Sequence, residues 1–283
     1  MNIKNVGVVG CGLMGSGIVE TCARSGYEVI VREVTQELLE KGLQRIKGSM
    51  TRGVEKGKLS SEEMNAAWSR IRGTCALDDL QASDLVIEAV TENMAEKKVI
   101  FATMDKLCDP DVILASNTSS MCITEMGAVT KRPDRVLGMH FFNPVPVMPL
   151  LELVRTIQTS DETLQTAKDF GATLQKTIVV AKDTPGFIVN LLLVPYLLGA
   201  VRALENGLAT KEDIDTAMKL GLNHPMGPLT LMDFVGVDTA YYIANVMYEE
   251  FREPQYAPPP LLKRMVLAGH LGRKTGKGFY DYK

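Results

Sequence analysis

Apolar residues in the first two thirds of the chain recur in two alternating rhythms. Short β-branched runs give way to longer stretches whose apolar positions fall three to four apart. The short runs are "IKNVGVVG" (3–10), "EVIVRE" (28–33), "IRGTC" (71–75), "DLVIEAV" (84–90), "DVILASN" (111–117), "RVLGMHFF" (135–142), "LLELVRT" (150–156) and "TIVVAKD" (177–183), and each predicts a strand. Between them, "LMGSGIVETCARSG" reads as a helix stopped by Gly26, and "SSEEMNAAWSRI" opens with a capping box at Ser60 and Glu63. Leu164, Ala167, Phe170 and Leu174 mark one face of a further helix. This alternation predicts an α/β fold, a Rossmann-like doubly wound and mainly parallel sheet.

After "KDTPGF" no strand alternation follows. Thr184 as a cap and Pro185 at the first helical position predict a helix over 185–206. Further helices are expected over 210–220 (Thr210 capping with Asp213), 227–248 with a break, and 259–269, with "EPQYAPPP" (253–260) as a loop. The chain is thus divided into a domain at 1–183 and an all-α C-terminal domain at 184–283.

Composition narrows the classes without choosing among them. The 283 residues suffice for two cores, and 46% hydrophobic with 23% charged residues is ordinary for a globular protein. A net charge of -3 gives no global reason to expect nucleic acid as a partner. No run approaches the ~20 apolar residues of a membrane span, and the N-terminus enters a strand without room for a signal peptide. A cytoplasmic protein is expected. The five cysteines (Cys11, Cys22, Cys75, Cys108, Cys122) show no C-x-x-C or metal-ligand spacing and read as reduced thiols.

Chemistry enters with "VGVVGCGLMGSGI", where Gly10, Gly12 and Gly15 form G-x-G-x-x-G directly after a strand and opening a helix. Gly10 permits the tight turn, Gly12 lets backbone approach a pyrophosphate, and Gly15 allows close helix–strand packing. Glu33, about 20 residues on, can accept hydrogen bonds from the adenosine ribose and repels a 2′-phosphate, which favours NAD over NADP. The neighbouring Arg32 works against that preference.

Four polar residues sit inside apolar runs: Ser119 after the fifth strand, His140 near the end of the sixth, Glu152 on the seventh, and Asn190 in "GFIVNLLLVPYLL". Transfer of hydride between NAD and an alcohol needs a group that takes the hydroxyl proton, and histidine suits it. A carboxylate on the other ring nitrogen would fix the tautomer, and Ser119 and Asn190 could hydrogen-bond the substrate oxygen. On spacing alone, His140 reads first as a satisfied core histidine and Glu152 as a strand-edge residue, ahead of the catalytic reading. His224, before a proline, reads as a turn residue, and His270 as an exposed one.

The segments "GCGLMGSGI", "EAVTEN", "ASNTSS", "MHFFNPVPVM", "DTPGFIVN", "AMKLGLNHPMGP" and "GRKTGKGFYDY" occur in an order, spanning essentially the whole chain, that resembles the short-chain L-3-hydroxyacyl-CoA dehydrogenases. In length and motif order the likeness is to the bacterial 3-hydroxybutyryl-CoA branch. The resemblance implies NAD-dependent interconversion of an L-3-hydroxyacyl-CoA and its 3-ketoacyl-CoA, with dimerisation through the helical domain. By motif it makes His140 the base, Glu152 its partner, and Ser119 and Asn190 the substrate-oxygen contacts. On the cofactor side it implies Leu13 and Met14 beside the glycines, with Glu92, Lys97, Asn117, Ser119, Asn143 and Lys274. Ser49 and Lys56, with Ser119, fall where that family binds coenzyme A. Independently of the likeness, Lys41, Arg45, Lys47, Arg52, Lys56 and Lys58 concentrate positive charge, which suits either the phosphates of coenzyme A or a solvated helix face.

The chain departs from the pattern at Leu191, where arginine is usual, at Gly199, where glutamate is common, and at Pro149, which replaces a frequent lysine. Two other readings share the dinucleotide turn: a dehydrogenase of free β-hydroxy acids, and a non-catalytic NAD-binding protein like the lens crystallin related to this family. The first leaves the basic segment without a role, and the second leaves Ser119, His140, Glu152 and Asn190 without one.

Overall fold

A computed structural model describes residues 3–282. Its packing separates two compact units, one running to Thr184 and one from Pro185 onward.

The first unit is built on β1 (Asn5–Val9), β2 (Glu28–Arg32), β3 (Ile71–Thr74), β4 (Leu85–Glu88), β5 (Ile113–Ser116), β6 (Val136–Phe141), β7 (Leu150–Arg155) and β8 (Thr177–Lys182). They form one sheet in the order β3-β2-β1-β4-β5-β6-β7-β8. Every neighbouring pair is parallel except β6 with β7. Strands buried on both faces carry near-continuous apolar runs, and β4, β5 and β6 are buried at every position. The chain reverses its direction of travel across the sheet between β1 and β4, and in such sheets this places a crevice at the carboxyl ends of those two strands.

Helices α1 (Leu13–Arg24), α2 (Gln36–Glu55), α3 (Ser61–Ser69), α4 (Met94–Leu107), α5 (Ile123–Gly127) and α6 (Asp161–Thr173) connect the strands. Their ends follow local chemistry. The Ser60 hydroxyl accepts from Glu63 N, while Glu63 Oε2 accepts from Ser60 N, which closes the capping box. Gly26 ends the α1 turn at φ +96°, a conformation that costs glycine little.

The second unit is helical: α7 (Val189–Glu205), α8 (Lys211–Gly221), α9 (Pro228–Val235), α10 (Val237–Phe251) and α11 (Pro260–Leu267). Val194, Leu197, Leu198 and Val201 form the buried stripe of α7 and pack into a core with Met232, Ala244 and Leu262. The helix expected from Pro185 begins four residues later. Gly186 (φ +84°) and Phe187 (φ +50°) are left-handed, so residues 185–188 form a turn, and Thr184 is not the cap. No helix among the described residues is long and apolar enough to cross a membrane.

Asp233, 1% exposed, fastens the C-terminal segment by accepting from Phe279 N, Tyr280 N and the Tyr282 hydroxyl. Replacing it with alanine strands one buried and one part-buried N–H group, so Asp233→Ala is expected to cost roughly 2–4 kcal/mol, read as a lowered urea midpoint. Gly199 lies inside α7 with nothing within 4 Å of an added Cβ. Gly199→Ala is therefore expected to stabilise by ~1 kcal/mol, a gain that the same titration measures.

Candidate active site

The reversed direction of β7 makes the central feature of the site. In the antiparallel register His140 lies directly opposite Glu152, and directly opposed residues put their side chains on the same face. His140 Nδ1 and Glu152 Oε2 are 2.7 Å apart, with the residues 4% and 0% exposed. With Glu152 ionised, Nδ1 carries the proton of this bond, so Nε2 is the nitrogen whose protonation changes. The Phe142 ring packs against the imidazole at a centroid distance of 4.5 Å.

Beside the pair, the segment after β5 is held from several directions. Asn117 Oδ1 accepts from Phe141 N at 2.9 Å, tying this segment to the residue after His140. The Glu92 carboxylate accepts from the Thr118 hydroxyl and from Ser119 N. Behind it, Lys97 Nζ lies 2.7 Å from Glu88 Oε1 and 3.4 Å from Glu92 Oε2, while Glu88 Oε2 accepts from the Ser116 hydroxyl. The Lys97 ammonium is thereby engaged by two carboxylates of the protein itself. Glu88 is absent from the sequence-based set, although a charge inside the apolar run "LVIEAV" (85–90) carries the same signal as His140 in its strand. Asp183 is a second addition: it accepts from Ile123 N and Thr124 N and so fixes the start of α5.

The glycine-rich turn stands at the end of β1. Gly10 adopts φ +99° and donates to the Arg32 carbonyl. A Cβ at Gly15 would drive into the Gly10 carbonyl, whereas one at Gly12 would meet nothing within 4 Å. Gly12 caps α1 without a side-chain hydrogen bond, so the first N–H groups of the helix face an open approach, the arrangement that receives a pyrophosphate. Leu13 and Gly12 are exposed and Met14 half-buried at this approach. Glu33 Oε1 accepts from Cys11 N at 2.7 Å, which puts its carboxylate at the turn. Arg32 Nε donates to the Cys75 carbonyl at 3.3 Å, which ties the guanidinium to the end of β3. The turn and Glu33 thus fit a dinucleotide. Cys11 is no nucleophile, because burial and then Glu33 push its thiol up to about 12.

The remaining sequence-derived residues are carried by other segments of the chain. Asn143 is exposed in the loop after β6, Ser49 is half-buried on α2, and Lys56 is exposed at the end of α2. Asn190 lies in the first turn of α7, and Lys274 pairs with Asp238 at 2.6 Å, both in the second unit.

Comparison with known proteins follows the same division. Residues 5–184 match the family model "3-hydroxyacyl-CoA dehydrogenase, NAD binding domain", and residues 186–282 match "3-hydroxyacyl-CoA dehydrogenase, C-terminal domain". A 3-hydroxybutyryl-CoA dehydrogenase of Mycobacterium tuberculosis is 54% identical over 99% of each chain. The mitochondrial hydroxyacyl-coenzyme A dehydrogenase of Sus scrofa is 45% identical over 99% of this chain and 92% of its own. Among solved structures, (S)-3-hydroxybutyryl-CoA dehydrogenase PaaH1 from Ralstonia eutropha superposes with a TM-score of 0.95 at 46% identity, covering all of both chains.

The two glycines separate binding from folding. Gly12→Ala is expected to keep the parental melting temperature but to weaken NADH binding at least ~10-fold, read by NADH fluorescence titration. Gly15→Ala should lower the melting temperature itself.

Proposed function

The chain belongs to the 3-hydroxyacyl-CoA dehydrogenase family, and from that membership we infer its reaction: the NAD-dependent interconversion of an L-3-hydroxyacyl-CoA and its 3-ketoacyl-CoA. The relatives named for 3-hydroxybutyryl-CoA support a short acyl chain. The buried His140–Glu152 pair carries the mechanistic reading.

The glycine turn and Glu33 are assigned the dinucleotide, with Leu13, Met14, Asn143 and Lys274 as further contacts. Bound there, NAD supplies the hydride acceptor for oxidation and the donor for reduction. His140 Nε2 takes the proton of the 3-hydroxyl during oxidation and returns it to the carbonyl oxygen in the reverse direction. Glu152 holds the imidazole in one tautomer and stabilises the imidazolium as it forms. Burial strengthens that attraction, because little water competes with it. Ser119 and Asn190 are assigned the hydrogen bonds to the substrate oxygen, and Ser49 and Lys56 contacts to coenzyme A. Glu92 and Lys97 hold the backbone on which Ser119 is presented, and Asn117 ties that backbone to β6.

We also propose a homodimer formed through the helical unit, and a cytoplasmic location. Leu192, Leu220 and Phe234 support the first, at 70%, 75% and 50% exposure on that unit. The second is in keeping with five free thiols.

Removing the base is expected to lower kcat for acetoacetyl-CoA reduction by ~10²–10⁴-fold in a His140→Gln variant that folds and binds NADH. Glu152→Gln should fall between that variant and the parent. Parental turnover by a folded, NADH-binding His140→Gln would overturn the assignment.

A further inference from the structure

Two carboxylates share one ammonium at the carboxyl ends of β4 and β5. Glu88 is the last residue of β4 and Ser116 the last of β5, and the parallel register sets them side by side. Glu88 and Lys97 are each 1% exposed. Glu88 Oε1 accepts from Val90 N and from Lys97 Nζ, both at 2.7 Å, while Oε2 accepts from the Ser116 hydroxyl at 2.6 Å. Its main-chain carbonyl accepts from Asn117 N. None of these bonds reaches Ser119, the residue assigned to the substrate oxygen.

Glu92 is the acid that does reach it. Its Oε1 accepts from Ser119 N at 2.9 Å, and both its oxygens take the Thr118 hydroxyl. The Lys97 ammonium stands between the two acids, 2.7 Å from Glu88 and 3.4 Å from Glu92. A buried ammonium needs a counter-charge in contact, and the nearer acid supplies it. With Glu88 in place, Lys97 stays at the longer distance and Glu92 stays turned to the Ser119 backbone. Without the Glu88 charge, Glu92 becomes the nearest anion, and its oxygens are drawn off Ser119 N toward Lys97.

A second line of bonds runs through Ser116. Its hydroxyl donates to Glu88 and accepts from Thr118 N at 3.2 Å, and Thr118 Oγ1 accepts from Met121 N. Residues 116–121 are therefore tied to Glu88 twice, once through Lys97 and Glu92 and once through Ser116. A buried ion pair contributes little net stability compared with apolar side chains of the same volume. What this one supplies is direction, delivered to the segment that presents Ser119.

We propose that Glu88 is a positioning residue for the reaction: by holding the Lys97 ammonium it keeps the Glu92 carboxylate on Ser119 N, and by holding Ser116 it fixes the backbone leading there. The catalytic consequence rests on the proposed reaction and on Ser119 as its substrate-oxygen contact, whereas the hold on residues 116–121 does not.

The test compares Glu88→Gln, Lys97→Met and the double variant in the full chain. Glu88→Gln keeps the shape of the side chain and removes its charge. Its kcat for acetoacetyl-CoA reduction is expected to fall ~10–100-fold, with KM for NADH unchanged. The isotope effect from NADH deuterated at the transferred position should rise. Amide hydrogen exchange should quicken in residues 116–121 and not in the rest of the sheet. Lys97→Met removes the cation that competes for Glu92, so the double variant should be no slower than Glu88→Gln alone. Losses of the two single variants that multiply in the double would overturn the coupling. Should Glu88→Gln fail to fold, Ser116→Ala cuts the second line and is expected to move kcat and the exchange of 116–121 in the same directions. Parental kcat in a folded Glu88→Gln, a lowered kcat without faster exchange in 116–121, or exchange that quickens throughout the sheet would overturn the positioning role. A parent that does not turn over acetoacetyl-CoA refutes the reaction instead, and the exchange of 116–121 still decides whether Glu88 holds that segment.

Discussion

A carboxylate and an imidazole buried against each other on neighbouring strands constrain everything around them. Removing one partner of such a buried pair leaves an uncompensated polar group and costs on the order of 3–5 kcal/mol, so the fold must deliver both to the same place. Here it does so by register. Because β7 runs against β6, His140 and Glu152 oppose each other and share a face, and a slip of one residue would turn Glu152 to the other side of the sheet. The connecting loop helps to set that register. Val147 N and Met148 N both donate to the Pro144 carbonyl, and the Pro149 carbonyl accepts from Thr177 N at the start of β8. The same pair that supplies acid–base chemistry thus depends on the one antiparallel join in the sheet.

The segment carrying Ser119 extends this rigidity sideways. It is fixed before Ser119 by Ser116 on Glu88 and by Asn117 on Phe141 N, at Ser119 by Glu92, and after it by Asp183 on the first N–H groups of α5. None of these ties needs an irregular loop to pack by hydrophobic contact, which it could not do well. Positioning comes from directional hydrogen bonds, and those to Glu88, Glu92 and Asp183 are charge-assisted.

Sequence legibility followed the range of the interaction. The strands could be read because a buried parallel sheet demands continuous apolar runs, and Ser60–Glu63 because a capping box spans three residues. The expected helix start at Pro185 failed on the backbone conformation of Gly186 and Phe187. A proline at a first helical position is a local preference, and it could not reveal a left-handed turn at the two residues that follow. His140 and Glu152 were legible as misplaced polar groups but not as a pair, since their contact depends on how residues 142–149 close. Glu88 carried the same local signal as His140, but its role rests on Lys97 and Ser116, nine and twenty-eight residues away.

Net charge was the least informative quantity, and the structure gives a physical reason. Several acids of this chain are spent on backbone rather than on solvent. Asp183 grips two successive N–H groups at α5, Asp215 two at the start of α9, and Asp233 two in the C-terminal segment. Each replaces a bond that a helix start or an irregular segment cannot make for itself. The cations divide in the same way, with Arg45 spent on the Cys11 carbonyl while Lys58 remains open to a cavity. A count of -3 adds together charges that hold the fold and charges that stand open to solvent. Only partner-by-partner accounting separates them.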